Sequence, residues 1–287
     1  MPNFIGVSNN RAKDMSVVRE GNERVLRARL YDAAFFWKED QKKSLDAHAE
    51  ELKNVTYQEK LGTVYDKVQR IKKLTLWLAE TLKADVDMAK LSRACDLAKA
   101  DLVTNMVYEF SDVQGIMGRE YARKAGEPEE VALAIYEQYL PRYAGDELPS
   151  QMGGALLGIG ERLDTLSAIY KIGMEPTSSQ DPYGLRRAAR TINELIWGLS
   201  LDIDLDEALG MAAGLLEMPQ ERLEKLKAFI AQRQQVQLRE KGFRHEAVAL
   251  AVQTAPSRPL QLYRLAEVLT KPPASRGSRS SSPPPSA

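Results

Sequence analysis

The stretch Cys95–Ala122, CDLAKADLVTNMVYEFSDVQGIMGREYA, constrains the fold more than any other part of the chain. Ala98, Leu102, Met106, Phe110, Val113 and Met117 recur at steps of four or three, so they share one face of a helix. Asp101, Asn105, Glu109 and Asp112 form a polar stripe beside it. The spacing predicts one central helix with a buried face edged by acids. Such an edge suits a solvated border, an acid cluster awaiting a metal, or a surface that meets a partner.

Elsewhere the same period dominates. A helix is predicted from Ser16 to about Asp40, with Val18, Leu26, Leu30 and Ala34 near one face and the aromatic anchor Phe35, Phe36 and Trp37 at its end. Lys42–Lys60 reads as a polar helix or helix–loop containing an exposed His48. Val64, Val68, Ile71, Leu74, Leu78 and Leu82 define the next helix, and Asp87 is placed to cap the central one. Further helices are predicted at Glu129–Leu140 and Gly154–Ile172. Gly158 and Gly160 inside the latter are tolerable where another helix approaches closely. The segment 173–190, rich in Gly, Pro and Ser, marks the best boundary. Helices follow near Gly184–Leu199, Asp204–Glu217, Pro219–Lys241, Arg244–Ala255 and Pro259–Leu269. Only Asn3–Ser8, NFIGVS, alternates like a short strand, and a lone strand needs a sheet to pair with.

The expected class is therefore mainly α. Residues 1–14 read as the end of a preceding β-containing domain, 15–175 as a first helical domain, 176–270 as a second helical unit, and 271–287 as a disordered Pro/Ser tail.

Composition narrows the chemistry. The 287 residues hold 40 basic and 40 acidic side chains, so net charge gives no bulk attraction to nucleic acid or membrane. The one cysteine, Cys95, excludes an intrachain disulfide and reads as a small core residue. There is no signal-peptide pattern and no run of about 18 apolar residues, so a cytoplasmic location and no membrane partner are expected. The two histidines, His48 and His245, leave most zinc, iron or general-base sites without ligands. No Walker A loop, GxGxxG or GxSxG motif appears.

The first unit resembles the HD phosphohydrolases in layout. That superfamily binds a metal through a histidine on one helix, an adjacent His-Asp pair on a later one, and a still later aspartate. Here Lys67 stands where the first histidine would be, Ala100-Asp101 replaces His-Asp, and Asp164 supplies the last aspartate. The acids remain and the imidazoles are gone, so no metal and no catalytic residue is expected in this chain.

Several ordered strings carry a more specific resemblance: VREGNERVLRARLYDAAFFWKED (18–40), LGTVYDKVQRI (61–71), KADLVTNMVYEFSDVQGIMGREYA (99–122), VALAIYEQYLP (131–141), LDTLSAIYKIG (163–173) and PTSSQDPYGLRRAA (176–189). Together they resemble the β subunit of the bacterial two-subunit glycyl-tRNA synthetase, from Asn3 to about Ala189. The resemblance implies a middle to C-terminal part of that subunit with a degenerate HD-like domain. It implies a ligase subunit that supports ATP-dependent charging of tRNA(Gly) with glycine, through tRNA binding and subunit scaffolding. ATP with magnesium would be used in the α subunit, and the partners would be that α subunit and tRNA(Gly). This chain alone would be inactive. The alternatives are a metal-dependent HD-type phosphohydrolase and a purely helical interaction module. Gly160 and Glu161 depart from the family pattern, which has Ala-Asp there, and a recognisable anticodon-binding domain is missing.

For tRNA the candidates are Lys and Arg positioned against phosphate. They are Arg186 and Arg187 after a proline-containing loop, the cluster Lys67, Arg70, Lys72 and Lys73, and Arg24, Arg27 and Arg29 on the first helix.

Overall fold

The structure is a computed structural model, and it describes residues 3–9 and 11–271. Among these residues the chain forms thirteen α-helices and one two-stranded hairpin. It divides between Ala168 and Ile169 into two compact units.

The first unit contains α1 (Met15–Asp40), α2 (Leu45–Glu51), β1 (Thr56–Gln58), β2 (Gly62–Thr63), α3 (Val64–Thr81), α4 (Met88–Leu97), α5 (Asn105–Glu109), α6 (Ile116–Lys124) and α7 (Glu129–Glu137). The division falls within α8 (Met152–Lys171). The second unit continues with α9 (Leu185–Gly198), α10 (Leu205–Leu216), α11 (Gln220–Glu240), α12 (His245–Thr254) and α13 (Pro259–Thr270).

The predominance of helix follows from the period of the apolar residues. On α3, Val68, Ile71, Leu74 and Leu78 are buried together, as their spacing requires. Thr63 opens that helix with a reciprocal cap: its hydroxyl accepts from Asp66 N at 3.1 Å, and the Asp66 carboxylate accepts from Thr63 N at 2.8 Å. Asp87 caps α4, accepting from Ala89 N at 2.9 Å and Lys90 N at 3.1 Å. The helices expected after residue 184 all form within a few residues of their predicted ends.

The central stretch differs from its prediction. It is not one helix but a series: α4 ends at Leu97, a 3-10 turn spans Ala100–Val103, α5 has five residues, a second 3-10 turn spans Ser111–Val113, and α6 begins at Ile116. The breaks have local causes. Thr104 is extended and caps α5 with its own hydroxyl, which accepts from Val107 N at 3.3 Å. Gly115 has φ of +78°, which an L side chain rarely adopts. Of the six stripe residues Ala98 and Met106 are buried, and Leu102, Phe110, Val113 and Met117 are half-buried, so the turns redirect the stripe without exposing it.

Three other expectations change or sharpen. Asn3–Ser8 forms no strand, since no described neighbour pairs with it. Of the two readings of Lys42–Lys60, helix and helix–loop, the second is nearer, with the loop formed by a 3-10 turn and the hairpin at 52–63. His48 is 6% exposed, and its Nε2 lies 3.0 Å from the carbonyl oxygen of Asp40, so it belongs to the core edge. The predicted Pro/Ser tail lies outside the described residues from 272 onward.

Two close contacts in the core fix the helices of the first unit. Gly160 lets α8 approach α3: a Cβ there would lie 2.5 Å from Thr75 Oγ1 and 3.4 Å from the carbonyl oxygen of Ile71. The C-terminal end of α1 is anchored through Asp40, whose carboxylate accepts from Asn105 N, Met106 N and the Tyr121 hydroxyl at 2.8, 3.0 and 2.7 Å. Beside it Trp37 stacks on Tyr121 with ring centroids 5.1 Å apart, and Phe36 meets Phe110 edge-on.

Candidate functional site

The positions that the sequence comparison likens to an HD-type site come from three places: α3 supplies Lys67, the 3-10 turn after α4 supplies Ala100 and Asp101, and α8 supplies Asp164. The structure brings Lys67 and Asp164 together. Lys67 is 5% exposed and Asp164 1% exposed. The Lys67 ammonium lies 3.4 Å from Asp164 Oδ2 and 3.4 Å from Glu161 Oε1, donates to the Thr165 hydroxyl, and sits 4.6 Å from the centre of the Tyr57 ring. Arg70, one turn further along α3, closes on the same aspartate. Its Nε donates to Oδ1 at 2.6 Å and its Nη2 to Oδ2 at 3.3 Å. Both carboxylate oxygens of Asp164 are thus engaged by cations of the chain itself.

Charges that cannot reach water must be compensated, and here they are. Burial alone would strip Lys67 of its proton, but Glu161 and Asp164 outweigh it and hold the ammonium well above the usual lysine range. Burial would likewise raise Glu161, yet Lys67, Lys99 and Arg162 bring its carboxyl down to about 2. Lys99 has the opposite balance. Burial and the nearby Lys67 charge lower its amine to about 8, against the pull of Glu161. Its ammonium meets the Tyr139 hydroxyl at 3.0 Å and lies 4.1 Å from the ring centre. Arg162 donates to the carbonyls of Gln138 and Gly158 at 2.7 and 2.8 Å, which ties α8 to the end of α7.

Asp101 takes a structural part. Its Oδ2 accepts from Gly115 N at 2.6 Å and Gly118 N at 3.1 Å, so the carboxylate caps α6. Burial raises its carboxyl above the usual range. Ala100 is fully buried and packs in the core, where a histidine would have supplied a ring nitrogen. Among the described residues no group of three or more His, Cys, Asp or Glu is arranged to hold a metal ion. The physical objection to a metal lies in what is present. A divalent cation at Asp164 would sit against a retained ammonium and a guanidinium, without an imidazole to ligate it.

The sequence comparison named Lys67 and Asp164 as separate HD-like positions and did not anticipate their ion pair or Lys99, Tyr139 and Thr165 around it. Glu161 was visible only as a departure from the family pattern. Its place one turn before Asp164 was the available signal.

The candidates for tRNA contact separate by exposure. Lys67 and Arg70 are withdrawn from the surface by their pairing with Asp164, and Lys72 holds Asp96 at 2.6 Å. Lys73 is exposed. At α9 the helix N-terminus is already occupied: Asp181 accepts from Leu185 N at 2.8 Å and Arg186 N at 2.9 Å, and Arg186 donates to the carbonyl of Thr177. An anion at that terminus would have to displace a carboxylate, so the phosphate reading does not extend to the backbone there. Arg187 remains exposed beside it. On α1, Arg29 pairs with Glu109 at 2.5 Å, whereas Arg24 and Arg27 are exposed. Among the described residues no helix is long and apolar enough to cross a membrane.

Comparison with known proteins identifies the family. Residues 1–253 match the family model described as glycyl-tRNA synthetase beta subunit. The glycine–tRNA ligase beta subunit of Syntrophomonas wolfei is 44% identical over 258 residues, which cover 88% of this chain and 37% of the relative. That of Bacillus subtilis is 41% identical over 270 residues, covering 94% and 39%. That of Geobacter sulfurreducens is 51% identical over 216 residues, covering 75% and 31%. The chain thus spans well under half the length of these relatives. With a family model matched over most of its length, the chain belongs to the glycyl-tRNA synthetase beta subunit family.

Proposed function

We propose that the chain acts as a non-catalytic part of a glycine–tRNA ligase, supporting charging of tRNA(Gly) as a helical scaffold and by contact with tRNA. Its partners in this reading are a companion α subunit and tRNA(Gly), its place is the cytoplasm, and ATP with magnesium is used on the companion subunit. The observation that carries the reading is the family match over residues 1–253. The internal geometry supports the non-catalytic part: Asp164 is committed to Lys67 and Arg70, and Asp101 gives its Oδ2 to the cap of α6 and keeps its Oδ1 buried.

Phosphate contact falls to the exposed cations. Lys73 and Arg187 are the candidates that remain accessible, with Arg24 and Arg27 on α1. Equilibrium binding of labelled tRNA(Gly) at two salt concentrations tests this. Arg187→Glu together with Lys73→Glu is expected to weaken binding about tenfold at low salt and to flatten its salt dependence. Unchanged affinity and slope would remove these side chains from the interface.

A further inference from the structure

The second unit holds a cleft of about 290 Å³ between α10 and α11, closed by the turn at Pro256 and Ser257. The turn is fixed to α10: Leu205 N donates to the carbonyl of Ser257 at 2.8 Å. Leu209, Ala228, Ala231 and Pro256 make much of its wall apolar. One polar side chain among them is anomalous. Gln234 lines the cleft, is 1% exposed, and has neither its Nε2 donor nor its Oε1 acceptor paired. A buried amide is ordinarily satisfied on both sides, and a residue of this length on α11 could have been leucine at lower cost. The contrast with Gln237, one turn away, is direct. Its Oε1 accepts from Asn193 at 2.6 Å and its Nε2 donates to the carbonyl of Arg190 at 3.1 Å.

We propose that this cleft binds an extended peptide segment of a protein partner, with an aliphatic side chain in the apolar part and the backbone N–H and C=O of one adjoining residue paired to the Gln234 amide. An extended residue presents its own N–H and C=O on one side, the complement of a carboxamide. Charge selects the partner. Asp206 and Glu224 line the cleft against the single Lys227, whose ammonium already lies 3.1 Å from Asp206 and 3.5 Å from Glu224. The wall therefore carries a net negative charge and favours a basic residue beside the inserted side chain. The same charge opposes a nucleic-acid backbone, so a nucleobase edge, which could also pair with a glutamine, is the weaker fit.

The test uses the full chain and ligand-observed NMR with N-acetyl-lysyl-leucine methylamide, its glutamyl-leucine counterpart and adenosine. The lysyl peptide is expected to bind saturably and about tenfold more tightly than the glutamyl one. Gln234→Leu should weaken it about tenfold, as loss of the amide pairing implies, while the melting temperature stays at or above that of the original protein. Gln237→Leu, which breaks a satisfied network, should lower the melting temperature without the same loss of peptide binding. Equal binding of the two peptides, no effect of Gln234→Leu, or binding of adenosine in preference to both would overturn the assignment. So would a crystal structure in which ordered water satisfies the Gln234 amide and stays in place with the peptide present.

Discussion

At the scale of single residues, the first unit is decided by how it treats Asp164. A carboxylate at 1% exposure needs a cation, and the chain supplies two from one helix face, Lys67 and Arg70 at i and i+3. Asp164→Asn removes the charge but keeps the shape, leaving both cations under-compensated. It is expected to destabilise the protein by about 3 kcal/mol in urea unfolding. A loss below about 1 kcal/mol would mean that water reaches the pair. Glu161 gives the pH dependence. Its carboxyl is held at about 2 in the fold against an ordinary value of 4.5, so the folded form binds this proton less readily than the unfolded chain. Its contribution is present in full above pH 4.5 and is lost as the pH falls toward 2. Unfolding free energy should therefore decline through that window, and Glu161→Gln should flatten the decline. The sequence named Lys67 and Asp164 only through a resemblance and did not show their pairing, because 97 residues separate them and no local period links them. Glu161 stood close enough in sequence to be noticed, whereas Lys99 and Tyr139 enter the network through tertiary packing alone.

At the scale of elements, close approach explains more than propensity. Gly160 costs α8 intrinsic helix stability but gives α3 room at Thr75. Gly160→Ala should raise helix propensity and still destabilise by about 1–3 kcal/mol, because the Thr75 side chain and the α3 backbone lie within the space of a methyl group. Thermal unfolding of this variant beside Gly160→Ala with Thr75→Ala separates the two effects, with partial recovery expected in the double variant. Helical periods were legible along most of the chain, since each apolar face is written into a single segment. The central stretch was legible as buried but not as broken. Its interruptions depend on Thr104 acting as a cap, on Gly115 at positive φ, and on Asp101 capping a helix that begins well downstream of it. The hairpin at 56–63 was hidden for a related reason: three residues and two residues are too short for a period to declare itself. The exposure of α1, nearly complete until its last two turns, belongs to the same scale. Val25, Leu30, Tyr31 and Phe35 are more than half exposed, while Phe36 and Trp37 on the same helix pack into the core.

For the molecule as a whole, family membership and internal chemistry point the same way. The chain belongs to the glycyl-tRNA synthetase beta subunit family, and Asp164, the buried acid of its first unit, is held by the chain's own cations. What the sequence could indicate here was that Lys67 and Ala100 stand where the HD resemblance would place histidines. What it could not indicate was that Lys67 and Arg70 surround Asp164 in a buried ion network. The most direct test of a scaffolding role is the initial rate of glycine attachment to tRNA(Gly) by the α subunit, measured with and without this chain and with no free metal beyond the magnesium that ATP requires. A scaffold predicts no charging by the chain alone and a faster rate when it joins the α subunit. Equal rates with and without it, or nucleotide hydrolysis by the chain alone, would contradict that role.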